Sequence, residues 1–316
     1  MAFTLSPPPP HLLPPKTSRA GPSFICHSLS SSSSSSTPYS MGQKMGGSKL
    51  MEFPHLLDPH RDTMISLISA VENCLGSHLL PSSVPPDVEY YQNESGTSQG
   101  TLCVRCGIDS SPVDFVLASW LHLEQPTGGG ALDITNIAGY MKSSTEVPHF
   151  QFELVQCSPT YFILFLDLIP RRDTVSHPDY LKTFYEDTQL EARRQRLGQL
   201  PEVQPYFSSS LYFRGVVSPT GILVSIKCED GGKERVEEII RDHIGPISNE
   251  VAGIWMDMCV GGGGEVREAE RAELEKRDSL IKRKAIEMDL SSSLPKQFGQ
   301  EVADRVLRVI RSVYKT

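Results

Sequence analysis

Hydrophobic positions along the chain follow a helical period first, then a strand period, then a helical one again. Met64, Ile65, Leu67, Ile68, Val71 and Leu75 recur at helical spacing and predict a helix over His60–Leu75. Asp58 and Pro59 stand where an N-cap and a first-turn proline belong, and the prolines from Pro81 to Pro86 end the pattern. Between Thr101 and Leu168 the period shortens. Thr101–Cys106, Val113–Leu123, Leu132–Tyr140, Phe150–Gln156 and Tyr161–Leu168 are rich in β-branched and aromatic residues, with turn-forming residues between them. Connections this short favour antiparallel neighbours, because a parallel crossover needs about a dozen residues or more. A helical block over Pro178–Leu197 ends in Arg193, Arg194 and Arg196, and two further strands are predicted at Leu211–Val217 and Ile222–Lys227. The remainder reads as helices over Lys233–His243, Pro246–Val260, Glu265–Lys284 and Gln297–Val313, with Gly261–Gly264 separating two of them. One block of strands with helices before and after it predicts an α+β fold: an α/β/α sandwich with a central antiparallel sheet flanked by helices on both faces.

The first fifty residues lie outside this pattern. They contain neither Asp nor Glu, run through Pro7–Pro10 and Ser30–Ser36, and carry only Lys16, Arg19, Lys44 and Lys49 as charged side chains. Such a segment buries too little apolar surface to offset its chain entropy, so it is expected to be disordered. Serine-rich, acid-free, weakly basic composition reads as an organelle transit peptide, and the apolar core of a secretory signal is missing. Residues 1–48 are therefore expected to be a chloroplast transit peptide and disordered leader, with the mitochondrion as a second destination, and residues 49–316 a single domain. The chain carries a net charge of −8, so the four bases of the first fifty residues leave about −12 for the rest. That balance argues against nucleic acid as a partner, because its binding relies on Lys and Arg at phosphates. No apolar run approaches the roughly 18–20 residues of a membrane-spanning helix.

Seven cysteines at irregular spacing do not form a disulfide framework. Cys103 and Cys106 make a C-x-x-C, but no second Cys or His pair completes a zinc site, and on a strand their side chains point to opposite faces. Glycine-rich nucleotide loops of the G-x-G-x-x-G and G-x-x-x-x-G-K types are absent, so nicotinamide, flavin and nucleotide sites of the standard kinds have no support. No G-x-S-x-G elbow marks a serine nucleophile.

Three stretches remain as candidates. Alternation along His149–Gln156 puts Phe150, Phe152 and Leu154 on one face and His149, Gln151 and Glu153 on the other. Glu153 then lies either at an exposed edge or inside a cleft, where desolvation lets a carboxyl hold its proton near neutral pH. Asp289 falls where the charged helix gives way to a loop, placed either to project into a pocket or to cap a surface turn. Tyr206 and Phe207, followed by Ser208–Ser210, offer either a flat apolar wall for a large planar ligand or ordinary aromatic packing.

At these residues the chain resembles the red chlorophyll catabolite reductases of plant plastids. The resemblance runs from about Met51 to Val313 and is carried jointly by Met51-Glu-Phe-Pro, Pro59-His-Arg-Asp, Leu80-Pro, Pro85-Pro-Asp-Val, Ser110-Ser-Pro-Val-Asp-Phe-Val and Pro148-His-Phe-Gln-Phe-Glu-Leu. Pro178-Asp-Tyr-Leu-Lys, Leu200-Pro-Glu-Val-Gln-Pro-Tyr, Ile240-Arg-Asp-His, Glu273-Leu-Glu-Lys-Arg-Asp and Phe298-Gly-Gln-Glu-Val continue it. It implies reduction of the C1–C20 methine-bridge double bond of an open-chain tetrapyrrole, red chlorophyll catabolite, to the primary fluorescent catabolite. It also implies a fold like that of the ferredoxin-dependent bilin reductases, electrons from reduced ferredoxin, and no bound cofactor. The implied setting is a homodimer working beside pheophorbide a oxygenase and other proteins of chlorophyll breakdown, in senescence and control of cell death. The family's two pocket carboxylates fall on Glu153 and Asp289, its substrate-lining loop on Tyr206, Phe207 and Ser208, and a position affecting product stereochemistry on Val217. Arg193, Arg194, Arg214 and Lys282–Lys284 are candidates for docking ferredoxin.

Overall fold

The computed structural model describes residues 49–125, 130–229, 232–261 and 266–315. The leader at 1–48 and the glycines at 262–264 lie outside the described residues.

After the helix α1 (Asp58–Leu75) and the short helix α2 (Pro86–Glu89) the chain enters one eight-stranded sheet. Its strands are β1 (Tyr90–Gln92), β2 (Ser98–Cys106), β3 (Val113–Glu124), β4 (Ala131–Met141), β5 (His149–Ser158), β6 (Tyr161–Ile169), β7 (Val203–Pro205) and β8 (Ile222–Lys227). Their spatial order is β1-β2-β3-β4-β5-β6-β8-β7, and every neighbouring pair is antiparallel. The first six strands are thus a meander in chain order, as the short connections predict.

The pleat sends alternate side chains to opposite faces, and each face has its own core. The first face carries Val116, Ala118, Ile137, Phe150, Phe152, Leu154, Phe162, Leu164 and Leu166. It is covered by α1, by α6 (Lys233–Ile239) and by the 17-residue helix α7 (Gly245–Gly261), with α3 (Pro178–Leu181) and α4 (Leu190–Gly198) beside them. Trp255 of α7 is fully buried there, stacks on Phe150 with ring centroids 5.4 Å apart, and donates its indole N–H to the Pro148 carbonyl at 3.1 Å. Gly139 of β4 makes room for it, since a Cβ there would stand 2.4 Å from the indole ring. The second face carries Leu102, Val104, Phe115, Leu117, Ile134, Ala138, Val155, Ile163 and Phe165. Its cover is α5 (Leu211–Val216), α8 (Glu268–Ala285), α9 (Ser291–Phe298) and α10 (Gln300–Tyr314). Helices on both faces of one antiparallel sheet make the α/β/α sandwich.

Several elements differ from the sequence expectation. Leu211–Val217 is not a strand. Ser210 accepts the Phe213 amide N–H on its hydroxyl at 3.1 Å and caps a short helix, α5, which seats Phe213 and Val216 in the second core. The block Pro178–Leu197 is interrupted by a widened helical turn at Lys182–Glu186. The helical stretch preceding Asp289 runs not into a loop but through another widened turn, Ile286–Leu290, into α9. Gly299, at φ 79°, separates α9 from α10 where one helix is expected from Gln297.

Candidate active site

Strand register brings six residues of the second face into one row across the sheet: Leu102, Ser119, Asn136, Glu153, Phe165 and Leu223. The adjacent row runs Val104, Leu117, Ala138, Gln151 and Asp167. Polar side chains from β3 to β6 therefore gather in the middle of an apolar face and not at its rim. Asn136, Gln151, Glu153 and Asp167 are each buried, Glu153 with 0% exposure. Of the two positions open to Glu153 in the sequence, the interior one is the one it takes. A carboxyl placed so is shielded from bulk water.

Asp167 is a carboxylate of this face that sequence reasoning missed. Its oxygens accept the Ser218 backbone N–H at 2.8 Å and the Ser218 hydroxyl at 2.5 Å. Burial raises its pKa to about 6, against the pull of those hydrogen bonds. The clamp holds the turn carrying Val217, and Gly221 lets it close: a Cβ there would lie 2.6 Å from a Val217 methyl and 3.0 Å from the Asp167 carboxyl. Val217 is half-buried against the same core.

Tyr206 follows β7, donates its backbone N–H to the Leu223 carbonyl at 2.9 Å, and packs half-buried on the Glu153 face. Phe207 turns outward and is 77% exposed. Ser208 is buried, and its hydroxyl accepts the Ser210 N–H at 3.2 Å within its own loop. The turn containing Asp289 contributes Ile286 and Leu290 to the same core; the Asp289 side chain lies outside the described residues. Glu153, Tyr206, Val217 and the turn of Asp289 thus share one side of the sheet, although the sequence spreads them over 137 positions.

A second buried polar group lies at the end of this face. His149 accepts the Met141 N–H on Nδ1 at 3.1 Å, so Nε2 carries its proton and donates to Asp278 at 3.0 Å. The Arg171 guanidinium donates to the same carboxylate at 2.6 Å and to the Thr145 carbonyl at 2.5 Å. Burial lowers the His149 pKa to about 4, against the attraction of Asp278. Burial pushes Asp278 up, but His149 and Arg171 outweigh it and hold its carboxyl below the usual range. The three residues are up to 129 positions apart in sequence, so no local motif signals them. They tie β5 to α8 and fix one end of the roof.

The basic candidates separate by layer. Arg193 and Arg196 of α4 pair with Glu250 of α7, on the side of the sheet away from Glu153, and Arg194 pairs with Glu191. Lys282 is buried, bound to Asp114 at 2.8 Å and set over the rings of Phe115 and Tyr140. Arg283 and Lys284 pair with Glu287, while Arg214 is exposed on α5. Cys103 and Cys106 face opposite sides of the sheet, as alternation requires, and burial raises both thiols, Cys103 to about 11. Among the described residues no group of three or more His, Cys, Asp or Glu side chains is arranged to hold a metal ion, and no helix is long and apolar enough to cross a membrane.

Residues 59–312 match the family described as red chlorophyll catabolite reductase (RCC reductase). The chain is 45% identical over 269 residues to the chloroplastic red chlorophyll catabolite reductase of Arabidopsis thaliana, covering 84% of this chain and 83% of that one. It is 42% identical over 257 residues to the chloroplastic red chlorophyll catabolite reductase 1 of Oryza sativa subsp. japonica, covering 81% and 78%. A third relative, from Hordeum vulgare, is 40% identical over 202 residues, 64% of this chain and 98% of its own. Among solved structures, tomato phytochromobilin synthase in complex with biliverdin superposes with a TM-score of 0.57 over 78% of this chain and 80% of that one. At 16% identity, that likeness speaks for the fold alone.

Proposed function

This chain belongs to the red chlorophyll catabolite reductase family, and we propose that it reduces the C1–C20 double bond of red chlorophyll catabolite with electrons from reduced ferredoxin. It acts in chlorophyll catabolism, in the chloroplast, where its Arabidopsis and rice relatives are placed by name. The observation that carries the reading is the position of Glu153: a fully buried carboxyl at the centre of an apolar sheet face, under a helical roof.

The reaction consumes two electrons and two protons, and the double bond between C1 and C20 becomes single. Ferredoxin delivers electrons one at a time, so a reduced pigment must be held and protonated between transfers. The protein's part in this scheme is positioning, electrostatics and proton supply. Glu153 or Asp289 gives the proton, and the other orients a pyrrole nitrogen or relays a proton through water. An apolar pocket that keeps a carboxylic acid protonated makes it a suitable donor. Tyr206 and Val217 flank the pigment, with Phe207 and Ser208 completing the loop beside it. The electron donor docks on the roofed side, where exposed Phe207 and Leu211 adjoin Arg214, and where Arg277, Arg283 and Lys284 lie close enough to act on Tyr212.

Anaerobic incubation of the purified protein with red chlorophyll catabolite and enzymatically reduced ferredoxin tests this reading. Blue product fluorescence that grows only with both protein and reduced ferredoxin is expected. Tight binding of the pigment without fluorescent product would instead make the protein a pigment scavenger.

A further inference from the structure

Asn136 is 1% exposed and stands directly across from Glu153 in the β4–β5 register. Its carboxamide orientation is fixed by chemistry: only the nitrogen can donate, and Nδ2 donates to the Phe152 carbonyl at 3.2 Å. Oδ1 is thereby turned away from the backbone, and among the described residues it has no donor. A buried acceptor left without a partner costs about 1–3 kcal/mol, and native interiors rarely keep one without a use.

The surroundings say what the missing donor is like. Asn136, Ser119 and the phenol-bearing Tyr91 line a crevice otherwise walled by aliphatic side chains, among them Leu102, Leu117 and Ile134 from the sheet and Leu290 and Leu294 from the roof. A ligand that fills such a space presents apolar surface nearly everywhere and a single N–H or O–H toward Asn136. Pyrrole-type rings combine a flat apolar body with one in-plane N–H.

We propose that Asn136 is a substrate-binding residue whose Oδ1 accepts a hydrogen bond from a ring N–H of the bound open-chain tetrapyrrole. The contact places that ring on the β4 side of Glu153 and fixes which part of the pigment faces the carboxyl. This inference rests on the function proposed above and goes beyond it by assigning the acceptor and the atom it holds.

Asn136→Leu keeps the side-chain size and removes the acceptor. The variant is expected to melt within a few degrees of the parent when no pigment is present, because it loses an unsatisfied acceptor together with one hydrogen bond. Its Kd for red chlorophyll catabolite, measured without reductant, is expected to rise about tenfold, and KM to follow it more than kcat. Asn136→Asp retains an oxygen acceptor and serves if the leucine variant does not fold. In resonance Raman spectra of bound pigment, the N–H bending bands that shift in D2O are expected at the parent positions in Asn136→Asp and displaced in Asn136→Leu. Parent-like affinity and parent-like bands in Asn136→Leu overturn this inference and leave the proposed function standing. Failure of the parent protein to bind the pigment overturns both.

Discussion

The two faces of the sheet are built from the same strands but solve different problems. On the first face, the side chains of the central strands are mostly apolar, with Thr135 and the paired His122 and Asp133 among them, and the main cover is two long helices, α1 and α7, of 18 and 17 residues. Buried polar groups there include Arg105, bound to Glu72 and to the Leu79 carbonyl, and His60, whose Nε2 meets the Thr135 hydroxyl. On the second face a row of carboxylates and carboxamides crosses the centre, under a helical roof interrupted by a widened turn and a glycine break. The contrast separates tasks. One face supplies cohesion, and the other spends part of its burial on polar groups that add little to folding. Variants in the first-face core should therefore change stability and leave chemistry alone, while those at Glu153 should change chemistry more than stability.

The largest expected effect belongs to Glu153→Gln. It keeps the shape and removes the exchangeable proton, so turnover should fall by about 10²- to 10⁴-fold while pigment Kd moves less than about threefold. Anaerobic kinetics alongside equilibrium binding measure the two. Parent-like turnover would remove Glu153 from the chemistry. On the opposite face, Trp255→Ala should lower unfolding free energy by about 3–5 kcal/mol, read from denaturant midpoints, with kcat per folded molecule unchanged.

Acid titration sharpens the comparison, since each face buries a neutral histidine. Burial holds His149 at about 4 and His60 at about 3, both below the ordinary 6.5. Their folded-state values are depressed, so the stability associated with neutrality is present above pH 6.5. It is lost as pH falls through each folded value. For His149 alone, the loss between pH 6.5 and 4 is about 3 kcal/mol. Asp167 acts in the opposite sense. Its value is raised to about 6, so its contribution is present below about pH 4 and lost as pH rises through 6. Asp167→Asn should therefore steepen the rise of stability between pH 4 and 6, and His60→Asn should flatten it. Chemical denaturation across that range reads both slopes.

The smallest effect concerns electron delivery. Arg214→Ala should raise KM for ferredoxin about threefold at low ionic strength, and added salt should erase the difference. Arg193→Ala, on the far layer and already paired with Glu250, should leave that KM unchanged.

Most of the sheet is legible in sequence because period-two alternation and short turns are local signals. They fix β2 to β6 within a few residues and put Glu153 on the face opposite Phe152. Alternation assigns a face but not a depth. The burial of Glu153 depends on strands paired on either side of β5 and on a roof drawn from beyond residue 210. Leu211–Val217 reads as a strand because its aromatics alternate, yet the Ser210 cap and the seat of Phe213 on Phe165 favour a helical turn. β1 and β7, three residues each, are too short to show a period. Asp167 looks like an ordinary strand acid until Ser218, fifty-one residues later, is brought against it. The His149–Asp278–Arg171 group has the same character: its members are meaningful only after the chain has folded.

The chain-order meander also sets a sequence of events in time. Six strands that neighbour their predecessors can zip together hairpin by hairpin, with little loop entropy to overcome at each step. Apart from α5, the helices that close over the second face come from the last fifty residues of the chain, so the sheet can be in place before that face is fully covered. During that interval an apolar surface stands open to other unfinished chains. The polar row through its middle then serves a purpose unconnected with catalysis. It interrupts what would otherwise be an unbroken sticky plane until α8, α9 and α10 arrive.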